Sequence, residues 1–257
     1  MKEDDLWDGQ QYKENSSPQE TSATEIINSI EFKGSEHVLD IGCGDGKITS
    51  KLRNLIPNGK IVGIDASNSM IAEAKKHATK DNHIFFFEKN AEDFHFDDKF
   101  DYIFSFHTLH WVQNKVSAFR NICNHLKPKG KFIFITSGRE NVTIAKVFTS
   151  DKWRVHLNQH EPRFHSVDGN TIKSMLHEAG LSVECMKVGY WSTLYASKTD
   201  LINWLMTWVP YATGLDQEGS VAFSDEIAEN MLIESMKNGI NNGIEFKTEM
   251  LSIETYK

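Results

Sequence analysis

The chain has 257 residues, 39% hydrophobic and 25% charged, with a formal net charge of -8. That length supports one large α/β core with a lid or small cap, and the acidic balance, with no Lys/Arg run, excludes the basic footprint of a nucleic-acid binder. No apolar run of about 18 residues suggests a membrane span, residues 1–5 lack the apolar stretch of a signal peptide, and the scattered Cys43, Cys123 and Cys185 form neither a disulfide framework nor a metal-ligand pair, so a reducing cytoplasm is the simplest compartment.

Residues 1–20 are polar, contain Asn15-Ser-Ser-Pro18, and read as an irregular arm. A helix is expected over 21–30, with Ile26, Ile27 and Ile30 on one face. Residues 38–41 then read as a buried strand running into glycines, and 47–55 as a helix stopped by Pro57-Asn-Gly59. The pattern continues with a strand at 60–64, a helix at 69–77, and strands at 84–87 and 100–105. A helix at 116–126, a turn at Pro128-Lys-Gly130 and a fifth strand at 131–135 follow. Strands alternating with helices, without hairpin signals between them, predict a parallel sheet covered on both faces, with right-handed crossovers. Ligands of such sheets sit outside the carboxyl ends of the strands.

The second half is less regular. Residues 141–167 are rich in Trp, His and Arg and carry no clear period. Residues 168–179 read as a helix capped by Asp168 and stopped by Gly180, and 181–189 as a strand. Helices are expected over 199–209 and 224–237, and a closing strand over 246–256. Neither a repeat nor a low-complexity segment is present.

The central signal is Val38-Leu-Asp-Ile-Gly-Cys-Gly-Asp-Gly46. Three glycines at alternate positions let the backbone turn sharply and approach a ligand closely, although phosphate-binding and dinucleotide-binding turns share that property. The spacing is Gly-x-Gly-x-Gly, and Asp40 stands just ahead of it. A carboxylate there suits a cationic ammonium and would repel a pyrophosphate; the other reading is a solvated strand-end acid. Asp65 ends the second strand, where an acid can accept hydrogen bonds from two ribose hydroxyls; alone it serves a dinucleotide equally well. Asn90-Ala-Glu-Asp93 follows the third strand and reads either as a contact to a base amino group or as a surface turn.

Leu39-Asp-Ile-Gly-Cys-Gly-Asp-Gly46, Gly63-Ile-Asp-Ala-Ser67, Asn90-Ala-Glu92 and Leu126-Lys-Pro-Lys-Gly130 together resemble the successive motifs of class I S-adenosylmethionine-dependent methyltransferases. The resemblance covers about residues 37–136. It implies an α/β, Rossmann-like, seven-stranded, mostly parallel sheet with a reversed last strand, helices on both faces and a helical, aromatic cap. It also implies S-adenosylmethionine across the carboxyl edge. It assigns Asp40, Gly42 and Gly44 to the methionine end and Asp65 to the ribose. Asn90, Ala91 and Glu92 surround the adenine, and Cys43, Ala66, Met70 and Phe106 complete the cofactor contacts. The expected organisation is an arm and helix closing the site (1–30), a cofactor-binding core (31–140), and the rest of the sheet (about 168–189 and 246–257) with cap insertions (about 141–167 and 190–245).

Two resemblances go further. Phe104-Ser-Phe-His-Thr-Leu-His-Trp111, then Ala118-Phe-Arg-Asn-Ile122, is similar to insect juvenile hormone acid methyltransferases, as is the arm Asn15-Ser-Ser-Pro-Gln19. That implies Gln19 and Trp111 as pocket residues. Trp7, Gly63-Ile-Asp-Ala-Ser67, the His110-Trp111 pair and Leu201-Ile-Asn-Trp204 resemble trans-aconitate methyltransferases. Malonyl-carrier-protein methyltransferases are a more distant neighbour. All three families methylate free carboxylates, so the implied function is O-methylation of a small, largely apolar carboxylic acid.

The chemistry agrees. A carboxylate is ionised at neutral pH and needs no general base; what remains is in-line positioning and exclusion of water, and orientation alone is worth roughly 7–11 kcal/mol. Nine aromatics, Phe148, Trp153, Phe164, Tyr190, Trp191, Tyr195, Trp204, Trp208 and Tyr211, lie between residues 148 and 223, where the cap is expected and where the arginines are only Arg154 and Arg163. Together with Arg139 these are either anchors for one acid group or solvated surface residues; several carboxylates would call for more guanidinium forks. Trp204 and Trp208, four apart on a helix, are either core or ligand wall. His107 and His110 would orient a carboxylate, serve as a base for a hydroxyl, amine or carbon acceptor, or simply open a helix. His156, His160 and His165 lack metal-ligand spacing, and no metal site is expected. A nicotinamide-dependent dehydrogenase is disfavoured by the glycine spacing. A non-catalytic cofactor-binding protein is the reading outside the enzymes. Expected partners are a small acid, with no nucleic acid or membrane, for a monomer or weak homodimer.

Overall fold

The computed structural model describes residues 7, 9, 12, 17–78, 83–157 and 163–257. Helix α1 (Ser17–Asn28) enters the first strand–helix unit, β1 (His37–Ile41) and α2 (Lys47–Leu55). Next come β2 (Lys60–Asp65), α3 (Asn68–Ala74), β3 (Ile84–Glu88), β4 (Phe100–Phe106), α4 (Lys115–His125) and β5 (Leu126–Ser137). Two short helices, α5 (Val142–Phe148) and α6 (Asp151–Leu157), precede α7 (Gly169–Glu178) and β6 (Ser182–Tyr195). The chain then runs through α8 (Lys198–Leu205), α9 (Val209–Thr213), α10 (Gln217–Lys237) and β7 (Ile244–Tyr256).

The seven strands form one sheet in the order β3-β2-β1-β4-β5-β7-β6. Pairings from β3 to β5 are parallel, and β7 runs antiparallel between β5 and β6. Alternation along each strand divides its side chains between two cores. Leu39, Ile41, Val62, Ile64, Phe132 and Phe134 join α4 and α7 on one face through Phe119, Ile122, Ile172 and Leu176. Val38, Ile61, Phe104, Phe106, Ile133 and Ile135 meet α1, α2 and α3 on the other through Ala23, Ile27, Leu52 and Ile71. A third cluster lies apart from the parallel strands, between α5, α8, α10 and the first residues of β7: Ile144, Val147, Leu201, Trp204, Phe223, Ile227 and Phe246.

Several expected boundaries shift for identifiable reasons. Residues 141–167 are not merely irregular: Asn141 caps α5 by accepting from the N–H groups of Thr143 and Ile144, so a short helix forms. The helix expected over 199–209 breaks after Leu205 because Pro210, inside the first turn of α9, has no N–H to continue the ladder. Helix α10 starts at Gln217 rather than 224, capped by Asp216. Strand β6 continues through Gly189 to Tyr195 because β7 pairs with it along its whole length. The 127–130 turn is a bulge inside β5: Leu126 faces Phe100 and Lys131 faces Tyr102. Asp168 and Gly180 bound α7 as expected, with Asp168 accepting from Asn170 and Thr171 N–H and Gly180 at φ 85°. Among the described residues no helix is long and apolar enough to cross a membrane.

Candidate active site at the carboxyl edge of the sheet

A cavity of about 390 Å³ opens over the carboxyl ends of β1, β2, β4 and β5, between the sheet and the cap. Its two ends are built differently.

At the β1–β2–β3 end the wall is backbone and short polar side chains. Gly42 sits at φ 71°, and a Cβ there would lie 2.0 Å from Thr108 Oγ1, so any other residue would be both strained and in collision. Its N–H donates to Ile64 O at 2.7 Å, locking the loop to the end of β2. Asp65 Oδ2 accepts from Gly44 N at 3.0 Å and Oδ1 from Ser67 N at 2.9 Å. The carboxylate thus stands on the cavity wall, anchored on two N–H groups of the loops that flank it. Ala66, Met70, Asn90, Ala91 and Glu92 line the same end. Asn90 Oδ1 accepts from Glu92 N at 2.9 Å, and Glu92 Oε1 accepts from Asn114 N at 2.9 Å, tying this loop to the start of α4. Lys115 donates to Val112 O at 2.9 Å; burial lowers its pKa to about 8, against the raising influence of Glu92.

Three residues expected to touch cofactor are not on the cavity wall. Asp40 is 2% exposed behind the loop, where Thr49 Oγ1 donates to its Oδ2 at 2.6 Å. Burial, with the nearby Asp65 charge, raises its pKa to about 7 against the opposing Thr49 bond. The Cys43 side chain turns inward against Gly63. Phe106 stacks on Phe104 with centroids 5.6 Å apart, in the sheet core. All three belong to the alternate set of positions that strand pleating and the tight turn point away from the opening.

At the β4–β5–β7 end the wall is aromatic. Trp111 stands 5.1 Å from Phe164, 5.5 Å from Tyr211 and 6.3 Å from Trp208, centroid to centroid. Phe148, Trp191, Trp204 and Phe246 complete the rings of the lining. Trp153, Tyr190 and Tyr195, also in the aromatic run, are elsewhere: Trp153 Nε1 donates to Glu226, Tyr190 is exposed, and Tyr195 packs on Trp204. His110 Nδ1 accepts from Ser137 N at 3.3 Å, which makes Nε2 the protonated nitrogen of the neutral ring. His107, at φ 57°, places Nε2 2.8 Å from Ser22 Oγ; that hydroxyl donates to Gln19 O, so His107 Nε2–H is the donor. Burial pushes His107 down to about 4 and His110 well below its ordinary value, so both are neutral at physiological pH. Gln19 lines the cavity, and its Oε1 is buried without a hydrogen-bond partner.

The arm contributes residues that sequence patterns alone would not rank. Trp7 lies 5.6 Å from Trp111 and 4.9 Å from Tyr211, and its carbonyl accepts from Ser69 Oγ at 2.5 Å. Tyr12 sits over Gly44, its hydroxyl pKa raised by burial and by Asp45 and Asp65. Asn15 and Ser16 of the arm motif and His160 lie outside the described residues. Thr108, Ser137, Glu140, Asn141, Thr207, Thr248 and Met250 line the cavity without having carried any signal in the sequence. Arg139, Arg154 and Arg163 are absent from that lining; Arg163 Nη1 donates to Tyr211 O and Arg154 pairs with Asp151. No metal-holding cluster occurs among the described residues.

Comparison with known proteins agrees with this geometry. The family described as "Methyltransferase domain" matches residues 32–180. Juvenile hormone acid O-methyltransferase of Bombyx mori is 26% identical over 266 residues, covering 95% of each chain. Malonyl-[acyl-carrier protein] O-methyltransferase 2 of Ilyobacter polytropus is 35% identical over 104 residues, 40% of each. Among solved structures, the YcgJ protein of Bacillus subtilis superposes with a TM-score of 0.64 at 21% identity, covering 93% of this chain and 98% of that one. A Haemonchus contortus phosphoethanolamine N-methyltransferase 2, solved with S-adenosylhomocysteine, superposes at 0.59 and 17%, covering 92% and 52%. A glycine loop with left-handed backbone, a strand-end carboxylate on the wall and a cavity of this size fit S-adenosylmethionine, and the chain belongs to the class I S-adenosylmethionine-dependent methyltransferases.

Proposed function

We propose that the enzyme O-methylates the carboxylate of a small, largely apolar acid. The observation that carries this reading is the β4–β5–β7 end of the cavity: aromatic walls, neutral histidines and no arginine in the lining. S-adenosylmethionine supplies an electrophilic methyl group on a positively charged sulfonium. The acceptor carboxylate is its own nucleophile, so the protein's work is to orient it and keep water out. His110, with Nε2 as donor, and the Gln19 carboxamide supply hydrogen bonds suited to carboxylate oxygens, and the Trp111 indole walls the reacting end. Asp65 is assigned to the ribose hydroxyls, Asn90, Ala91 and Glu92 to the adenine, and Ala66 and Met70 to the walls beside them. Gly42 and Gly44 bring backbone to the methionine end, and Asp40 holds α2 behind the loop through Thr49. A histidine-based mechanism on a hydroxyl or amine is a poorer fit, because a general base works best with a pKa near the working pH, and His107 lies near 4. The resemblance in sequence to enzymes named juvenile hormone acid O-methyltransferase and malonyl-[acyl-carrier protein] O-methyltransferase supports the same acceptor class.

The test is transfer of label from S-adenosylmethionine to a panel of free acids, from aconitate through medium-chain fatty acids to a farnesoic-type acid. Base-labile label in an organic extract, strongest with apolar monoacids, is the expected result. Label that survives base, or appears only on a hydroxyl, amine or carbon acceptor, overturns the carboxyl assignment.

A further inference from the structure

His107 lines the cavity, yet the reading above gives it no task. It follows β4 at once, and its backbone holds φ 57°, a left-handed conformation that few residues other than glycine adopt. Its N–H donates to Ile135 O at 2.9 Å, so that position is fixed to β5. From there the ring reaches across to α1: Nε2 lies 2.8 Å from Ser22 Oγ, and that hydroxyl donates to Gln19 O at 3.0 Å. Gln19 is the third residue of α1. The first turn of a helix has unpaired N–H groups and frays most readily, so a side chain there needs an outside anchor to hold one orientation. Ser22 comes three residues later, which puts it on the face of α1 that Gln19 occupies. A ring fixed to the sheet therefore grips the helix one turn past the carboxamide.

We propose that Ser22 is a positioning residue: His107 holds it, and through it the first turn of α1, so that the Gln19 carboxamide meets the acceptor carboxylate in one orientation. This rests on the reading of Gln19 as an acceptor contact. The bonds run in one direction, from His107 Nε2–H to Ser22 Oγ and from Ser22 Oγ–H to Gln19 O, and each polarises the next. A hydroxyl serves both parts because it donates and accepts at once; a methyl group serves neither. The left-handed backbone at His107 is the conformation from which this ring meets Ser22, which gives the local strain a purpose. Orientation is most of what a carboxylate acceptor asks of the protein, so a loosened carboxamide slows transfer without weakening the cofactor site.

The experiment removes the grip and asks whether Gln19 carries the loss. Ser22→Ala and the conservative Ser22→Thr are made in the full chain, and Ser22→Ala is also combined with Gln19→Ala. With the acid labelled best in the panel, Ser22→Ala should lower kcat/KM about tenfold. Its affinity for S-adenosylmethionine by calorimetry should stay within about twofold, which also verifies that the variant is folded. Ser22→Thr keeps the hydroxyl and should recover to within about threefold of the native protein. On top of Gln19→Ala, Ser22→Ala should cost less than about twofold more. An undiminished loss in that background, or no loss in the native chain, overturns the proposal. Hydrogen exchange over residues 17–28, with S-adenosylhomocysteine bound, gives a readout that needs no acceptor. Ser22→Ala should speed exchange there about tenfold and Ser22→Thr should reverse it; unchanged exchange also overturns the proposal. The two readings thus fail separately: a panel without any ester counts against the carboxyl acceptor, whereas exchange judges the hold of His107 on Ser22.

Discussion

The two ends of the cavity achieve rigidity in opposite ways. The β1–β2–β3 end uses backbone: Gly42 and Gly44 in left-handed conformation, loop amides bonded to Ile64 O, and Asp65 accepting from Gly44 and Ser67. The β4–β5–β7 end uses side-chain bulk, with Trp111, Phe164, Trp208, Tyr211 and Trp7 drawn from four separate stretches of chain and held by edge-to-face and tilted contacts. The first end is electrostatic and local in sequence; the second is apolar and assembled only by the tertiary fold. Cofactor chemistry is common to the whole family, so a fixed backbone device serves it, whereas rings can be exchanged without disturbing a strand end.

This contrast can be broken by titration. Asp40 titrates at about 7 in the folded chain against an ordinary 3.8, so between those values the folded state keeps a proton the unfolded chain has lost. Its contribution to stability therefore falls as pH rises through that window, by up to about 4 kcal/mol. His107, about 4 against 6.5, contributes the opposite leg, with stability falling as pH drops from 6.5 to 4. The comparison of native protein with Asp40→Asn cancels the histidine. Chemical denaturation from about pH 5 to 8 should show the variant gaining on the native protein as pH rises; a constant difference refutes the assignment. Transfer at saturating cofactor, measured in the Asp40→Asn background, should stay flat across roughly pH 5.5 to 7, because neither histidine titrates there.

Asp65→Ala gives the next largest effect and sharpens the division. Two ribose contacts would be lost and two loop amides left without their acceptor, so S-adenosylmethionine should bind about 100-fold more weakly by calorimetry. Acid affinity should move less than about threefold. Comparable losses at both ends would mean that the ends are coupled through the loop. Trp111→Ala is the smaller, reciprocal change: a loss of about 2 kcal/mol in unfolding free energy and a raised KM for the acid, with cofactor affinity unmoved. A cofactor affinity that falls with it would place Trp111 against the cofactor instead.

What the sequence disclosed follows the same division. Val38 to Gly46 and Asp65 were legible because strand, glycine spacing and acid lie within a few residues of one another and each has a local physical reason. Asp40 was legible as a strand-end acid just ahead of the glycines, yet it is buried with Thr49, nine residues on, as its partner, and no pattern in the strand announces whether a strand-end carboxylate turns outward or inward. Phe106 and Cys43 turn their side chains from the opening for the same reason: a single step of pleat reverses a side chain's face. The acceptor wall was legible only as a composition, a run of aromatics after residue 148. Which six of those nine rings face the cavity depends on the Pro210 break, the Asn141 cap and the length of β6. Trp7 carried no periodic signal because it reaches the wall from the arm.

The third hydrophobic cluster has an evolutionary consequence. Ile144, Leu201, Trp204, Phe223, Ile227 and Phe246 pack with one another and contribute nothing to the two cores that sandwich the parallel strands. Substitutions that reshape this satellite core should add independently to those in the sheet. A lineage can therefore drift through new acceptors by repacking α5, α8 and α10 while its glycine loop stays under unchanged selection, and a laboratory seeking new methyl acceptors would randomise this cluster first.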